Sequence, residues 1–107
     1  MRTSYKEKSK QLIFEITEEI DHHMVEKIRR KMDNEITRYV PREIVFDFNK
    51  VTFMDSAGIG MLIGRYKMIK RLGGNANLKN VSPSVKKIFE MSGVLKLIPI
   101  QDNEEIA

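Results

Sequence analysis

The chain has 107 residues, no cysteine, and 19 Lys/Arg against 15 Asp/Glu, for a formal net charge of +4. That length holds one domain over residues 1–107, because a second folding unit would have too little surface to bury. Disulfides, thiolate zinc sites and a thiol nucleophile are excluded, no apolar run approaches the roughly 20 residues of a membrane span, and polar Met1 to Lys10 is no signal peptide, all of which suits a cytoplasmic protein.

Tyr5 to Thr17 reads as two strands around a polar turn near Ser9 and Lys10. In the second, Leu12, Phe14 and Ile16 alternate with Ile13, Glu15 and Thr17. Asp21 has the character of a helix N-cap. From His22, Val25, Ile28, Met32 and Ile36 recur at helical spacing, and Pro41 marks the exit. Glu43 to Phe48 is short and rich in β-branched and aromatic residues, which predicts a central strand. Asn49 to Met54 leads into Asp55-Ser56-Ala57-Gly58-Ile59-Gly60. A second helix follows to about Leu72 and stops at Gly73-Gly74. Asn75 to Val81 is a polar strand. Ser82-Pro83 starts a third helix, with a capping serine and proline at the first helical position. It carries Val85, Ile88, Phe89 and Met91 and ends at Gly93. Val94 to Ile100 reads as a last strand, with Pro99 placing it at an edge. The acidic tail from Gln101 to Ala107 reads as frayed or briefly helical.

Strands alternating with helices predict an α/β domain with a largely parallel sheet, closed at one edge by the N-terminal hairpin. The expected sheet is mixed, with four or five strands and helices mainly on one face.

The basic excess is local. Residues 56–101 hold eight Lys/Arg and one acid, Glu90. Chemistry centres on Met54 to Gly60, after a strand and at the opening of a helix. Ser56 is the natural N-cap, its hydroxyl free to satisfy an orphan amide. The same position reads as a phosphate acceptor. A helix start tolerates an anion, and a phosphoserine carries about −1.5 to −2 charges at pH 7. Gly58 and Gly60 leave room for another protein's backbone or nucleotide site, or for close packing within the domain. No Lys-Ser/Thr follows the glycines, so this is no Walker loop, and the three-glycine dinucleotide fingerprint is absent.

On the following helix, Ile59, Leu62, Ile63, Tyr66 and Ile69 form a face for the sheet. Met61, Gly64, Arg65, Met68 and Leu72 form a neighbouring face, either an adaptable protein contact or a surface under the third helix.

These residues resemble the STAS domain of anti-sigma factor antagonists, with the sporulation subgroup nearest. The resemblance rests on Asp21-His22-His23, on Phe53 to Gly60, and on Gly64-Arg65-Tyr66-Lys67-Met68-Ile69-Lys70. Ser82 to Lys87 and Met91-Ser92-Gly93-Val94 extend it, so that it covers roughly residues 5–100. It implies a single STAS-like domain that works by partner switching. The unphosphorylated chain would bind an ATP- or ADP-bound protein that is both anti-sigma factor and serine kinase, releasing sigma-F. Phosphorylation of Ser56 would end binding, and a membrane-associated serine phosphatase would restore it. The resemblance implies a partner surface of Asp21, His22, Asp55, Ser56, Ala57, Gly58, Gly60, Met61, Gly64, Arg65 and Met68. Asp55 would position the hydroxyl, a magnesium nucleotide or the partner. Ala57 replaces the Ser or Thr of many relatives and leaves Ser56 as the lone acceptor. The alternative is a general STAS interaction or nucleotide-sensing module of a stress-signalling assembly.

Other chemistry is poorly supported. Adjacent His22 and His23 point in different directions on a helix and make a poor metal pair. His22 or Asp55 beside Ser56 is the one conceivable hydrolytic set, and it lacks a third group and an oxyanion site. No base-reading or stacking motif favours direct nucleic-acid binding. The expectation is a bound and modified protein, with no cofactor, no metal, no enzyme activity and no membrane insertion.

Overall fold

A computed structural model describes residues 1–101. The elements run β1 (Arg2–Lys6), β2 (Gln11–Glu15), α1 (His22–Tyr39), β3 (Glu43–Asp47), α2 (Ser56–Arg71), β4 (Asn75–Lys79), α3 (Pro83–Ser92) and a 3-10 turn at Val94–Lys96. Among these residues no helix is long and apolar enough to cross a membrane. The sheet order is β1-β2-β3-β4, with β1 antiparallel to β2 and the other pairs parallel. Each crossover moves one strand along, and right-handed crossovers in that order place their helices on one face.

The strand register makes that face apolar. Tyr5, Leu12, Ile44 and Ala76 align in one row, and Thr3, Phe14, Phe46 and Leu78 in the next. Ile28, Met32 and Ile36 of α1, Leu62 and Ile69 of α2, and Val85 and Phe89 of α3 are buried with them. Burial of each such side chain stabilises by roughly 1.5–3 kcal/mol. Phe48 and Phe89 meet edge to face at 5.3 Å between centroids, fixing α3 to the end of β3. The opposite face presents rows such as Arg2, Glu15, Asp47 and Lys79. On this face Gln11 and Asn77 donate to Glu43, and Val45 is 1% exposed.

Two boundaries differ from expectation. β1 begins at Arg2, because its partners along β2 extend to Glu15. Val94 to Ile100 is not a strand. Val94 and Ile98 are both 0% exposed, and a four-residue spacing is helical, so the segment coils to bury both. Only Ile100 reaches the sheet edge, in a parallel bridge to Leu78. There Leu78 N donates to Pro99 O at 2.8 Å and Gln101 N to Leu78 O at 2.6 Å. Pro99 has no N–H to extend the ladder. The acidic tail beyond Gln101 lies outside the described residues.

Candidate functional site

The loop after β3 comes back beside the end of the β2–α1 connection. Ile20 and Met54 form an isolated parallel bridge, and Asp55 N lies 3.5 Å from Ile20 O. The next residue on each segment is an aspartate, and each caps a helix. Asp21 Oδ1 accepts from His23 N at 3.0 Å and Met24 N at 3.1 Å. Asp55 Oδ1 accepts from Ala57 N at 3.0 Å and Gly58 N at 3.2 Å. Helices α1 and α2 therefore start side by side with the same cap. The start of α3 joins them, since Ser84 Oγ donates to Thr52 O at 3.5 Å and Ser82 Oγ caps Val85 N at 3.3 Å. All three starts lie past the carboxyl ends of parallel strands, where open α/β sheets place their sites.

Ser56 is not the N-cap expected from the sequence. The cap is Asp55, in extended conformation, one residue earlier. Its carboxylate reaches the amides two and three residues ahead, and an aspartate caps as well as a serine. Ser56 is the first residue of α2 and is exposed. Its hydroxyl makes no hydrogen bond to another described residue. The helix start also offers a phosphate less than expected, because Asp55 already occupies the Ala57 and Gly58 amides.

The two glycines divide their roles. A Cβ on Gly58 would stand 2.6 Å from Met54 Cγ and 2.9 Å from Ile20 Cγ2, so this buried glycine lets the Ile20–Met54 bridge pack against α2. It serves internal packing and is not open to a partner. A Cβ on Gly60 would meet nothing within 4 Å, and Gly60 is exposed. No internal contact demands glycine there, though each helical glycine costs roughly 1 kcal/mol against alanine. Gly64 is similarly uncrowded but half-buried.

The second face of α2 lies against α1 and not against α3. Met61 is 4% and Arg65 8% exposed. Arg65 Nε lies 2.9 Å from Asp33 Oδ1 of α1, an ion pair set off the hydrogen-bond direction, and Arg65 Nη1 is buried without a protein partner among the described residues. Burial pushes the Arg65 pKa down and Asp33 opposes it, yet a guanidinium stays charged at neutral pH. Met68, half-buried, lines a hollow with Ile36 and Thr37 of α1 and with Val40, the residue that caps its end. Met61 and Arg65 therefore join two helices and have little surface for a partner. His22 and His23 are exposed, and their ring centroids are 4.1 Å apart rather than divergent. Asp21 and Ala57 are half-buried.

One surface escaped the sequence reading. A groove of about 360 Å³ runs between α2 and α3, lined by Met54, Asp55, Ser56, Ile59, Ile88, Met91 and Ser92. Met91 is 83% exposed, and Phe53 nearby in sequence is 52% exposed. The signal was in the helix period. Val85 and Phe89 share a face, and Met91 falls two residues off it.

Fold and site together define a class: a small α/β domain presenting an unengaged serine at a capped helix start. The chain belongs to the STAS domain family, whose family model matches residues 2–107. It is similar to the anti-sigma F factor antagonist of Paenibacillus polymyxa, 41% identical over 93 residues, which are 87% of this chain and 80% of that protein. It is also similar to the solved structure of the anti-sigma factor antagonist SpoIIAA in its unphosphorylated form (33% identity, TM-score 0.76, 92% of this chain and 85% of that one). The phosphorylated form of the Bacillus cell fate determinant SpoIIAA matches at 32% identity and a TM-score of 0.67, over 92% of this chain and 88% of that one.

Proposed function

We propose that this chain is an anti-sigma factor antagonist of the cytoplasm, switched by phosphorylation of Ser56. In the unphosphorylated state it binds an anti-sigma factor that is also a serine kinase, and sigma-F is released. Phosphate on Ser56 ends that binding, and a serine phosphatase restores it. The observation that carries this reading is the division of labour at the helix start: Asp55 holds the cap, which leaves the exposed Ser56 hydroxyl uncommitted.

The switch follows from charge and solvation. A dianionic phosphate on Ser56 stands beside the Asp55 carboxylate, with the nearest first-turn amides already taken. A partner covering Ser56 must strip water from that phosphate and meets two like charges together. A cost of about 3 kcal/mol weakens binding more than a hundredfold. The fold need not change, because the exposed Ser56 hydroxyl makes no hydrogen bond to another described residue. Asp21, His22, Asp55, Ala57 and Gly60 form the rim that the partner covers, with Gly60 admitting its backbone closely.

The test uses a purified anti-sigma F factor with ATP. Ser56→Ala should bind it and take up no phosphate, whereas Ser56→Asp should bind poorly with a nearly unchanged melting curve. Phosphate incorporation into Ser56→Ala, or wild-type affinity in Ser56→Asp, overturns the reading.

A further inference from the structure

We infer that the end of the molecule opposite Ser56 docks on an anionic lipid surface, with Val40 and Leu72 entering the headgroup layer and basic side chains around them meeting the lipid phosphates. Helices α1 and α2 both finish there. Arg71, the last residue of α2, lies about 22 Å from Ser56 at the rise of a helix. The two helix ends leave a hollow of about 290 Å³, lined by Ile36, Thr37, Val40, Met68, Arg71 and Leu72. At it Val40 is 54% and Leu72 46% exposed. Val40 ends α1 in the left-handed region, at φ 45° and ψ 61°. Glycine or asparagine takes such a place readily, whereas a β-branched residue there is an outlier. The domain gains little in return, since more than half of the side chain stands in water. A strained, exposed valine beside an exposed leucine is a surface that gains by being covered.

Charge says what covers it. Arg71 lines the hollow itself, Arg38 sits in the last turn of α1, and Lys70 in that of α2. The amide of Arg42, just past Val40, donates to Lys10 O at 2.8 Å, which brings the β1–β2 turn alongside with Lys8 and Lys10. All these basic side chains are exposed, and none has an ion-pair partner among the described residues; Lys70 donates to Asn75 instead. The helix dipoles explain Arg38, Lys70 and Arg71, but not Lys8, Lys10 and Arg42, which lie outside the helices. The acids beside them are Glu7 in the same turn, half-buried Glu35, and Glu43, which accepts from Gln11 and Asn77. An anionic lipid surface answers both halves of this chemistry: its phosphates pair with free cations, and its headgroup layer takes apolar side chains out of water. A nucleic acid would use the cations alone, since Tyr39 at the end of α1 is half-buried and stacked on Tyr5 at 4.3 Å, where no base can reach its covered face. The contact is peripheral, needs no spanning helix and leaves Ser56 facing away from the lipid.

The test is co-sedimentation of the full chain with vesicles of phosphatidylcholine, alone or mixed equally with phosphatidylglycerol. Wild type should bind the mixed vesicles at least about tenfold more tightly than the neutral ones. Arg42→Glu and Lys8→Glu should each weaken that binding at least about tenfold. Lys50→Glu makes the same change in net charge in the loop before α2, at the Ser56 end, and should stay within about twofold, because a charge so far from the lipid is screened. Val40→Asn should weaken binding about threefold or more while the melting temperature holds or rises, since asparagine suits the left-handed position. Leu72→Gln should weaken binding by about as much. No binding to the mixed vesicles, equal binding to both kinds, or equal losses in Lys50→Glu and Arg42→Glu would overturn the assignment. Wild-type binding by both Val40→Asn and Leu72→Gln would overturn it as well, leaving a patch of charge with no apolar seat. Tighter binding to duplex DNA or transfer RNA at the same phosphate concentration would make the occupant a nucleic acid and likewise overturn it.

Discussion

Replacing Asp55 by alanine separates the two roles that share the start of α2. Asp55 Oδ1 accepts from two backbone amides, at 3.0 and 3.2 Å, so its loss frees both donors in a half-buried place. Loss of an N-cap costs about 1 kcal/mol and up to about 2. The aspartate charge also opposes the positive end of the helix dipole favourably, adding about 0.3–1 kcal/mol. A total near 2 kcal/mol lowers the melting temperature of a domain this size by roughly 8–12 °C. Ser56→Ala removes only an exposed hydroxyl and should stay within about 0.5 kcal/mol of wild type. Thermal unfolding followed by circular dichroism measures both, and Asp55→Asn, a competent cap, should recover most of the loss. Equal destabilisation by Ser56→Ala would refute the assignment of the cap to Asp55, and with it the argument that the serine is free.

Other substitutions test the surrounding architecture. Gly58→Ala drives a methyl into Met54 and Ile20 and should cost about 1–3 kcal/mol in chemical denaturation. Gly60→Ala, with no atom within 4 Å, should instead stabilise the isolated chain by up to about 1 kcal/mol while weakening its complex with the anti-sigma factor; unweakened binding would show that no partner backbone approaches there. Asp33→Ala removes the ion-pair partner of the buried Arg65 and should destabilise by about 2–3 kcal/mol, whereas Arg65→Met, which removes the charge and keeps the volume, should be near neutral.

Much of this protein was legible because local chemistry and tertiary packing agree. The Ser82-Pro83 start of α3, the Asp21 cap of α1 and the β-branched run of β3 each state their structure within a few residues. Failures came where two residues compete for one job or where burial depends on distant partners. Asp55 and Ser56 are both good caps, and only the backbone path after the Ile20–Met54 bridge decides between them. Met61 and Met68 read equally as a protein contact or as a face under the third helix, because nothing local reveals that α1 brings Asp33 and Ile36 against that side of α2. Val94 to Ile100 reads as an edge strand, although Val94 and Ile98 carry a helical spacing and the chain turns at Val94–Lys96. The same tertiary arrangement that buries Met61 leaves Met91 in water.

The most direct test of the switch is the affinity of one purified anti-sigma F factor for the same chain before and after phosphorylation. Peptide mapping should place a single phosphate on Ser56, the affinity should fall more than about a hundredfold, and the circular dichroism spectrum should not change. Equal affinity for the two forms, or a phosphate on another residue, would contradict the account.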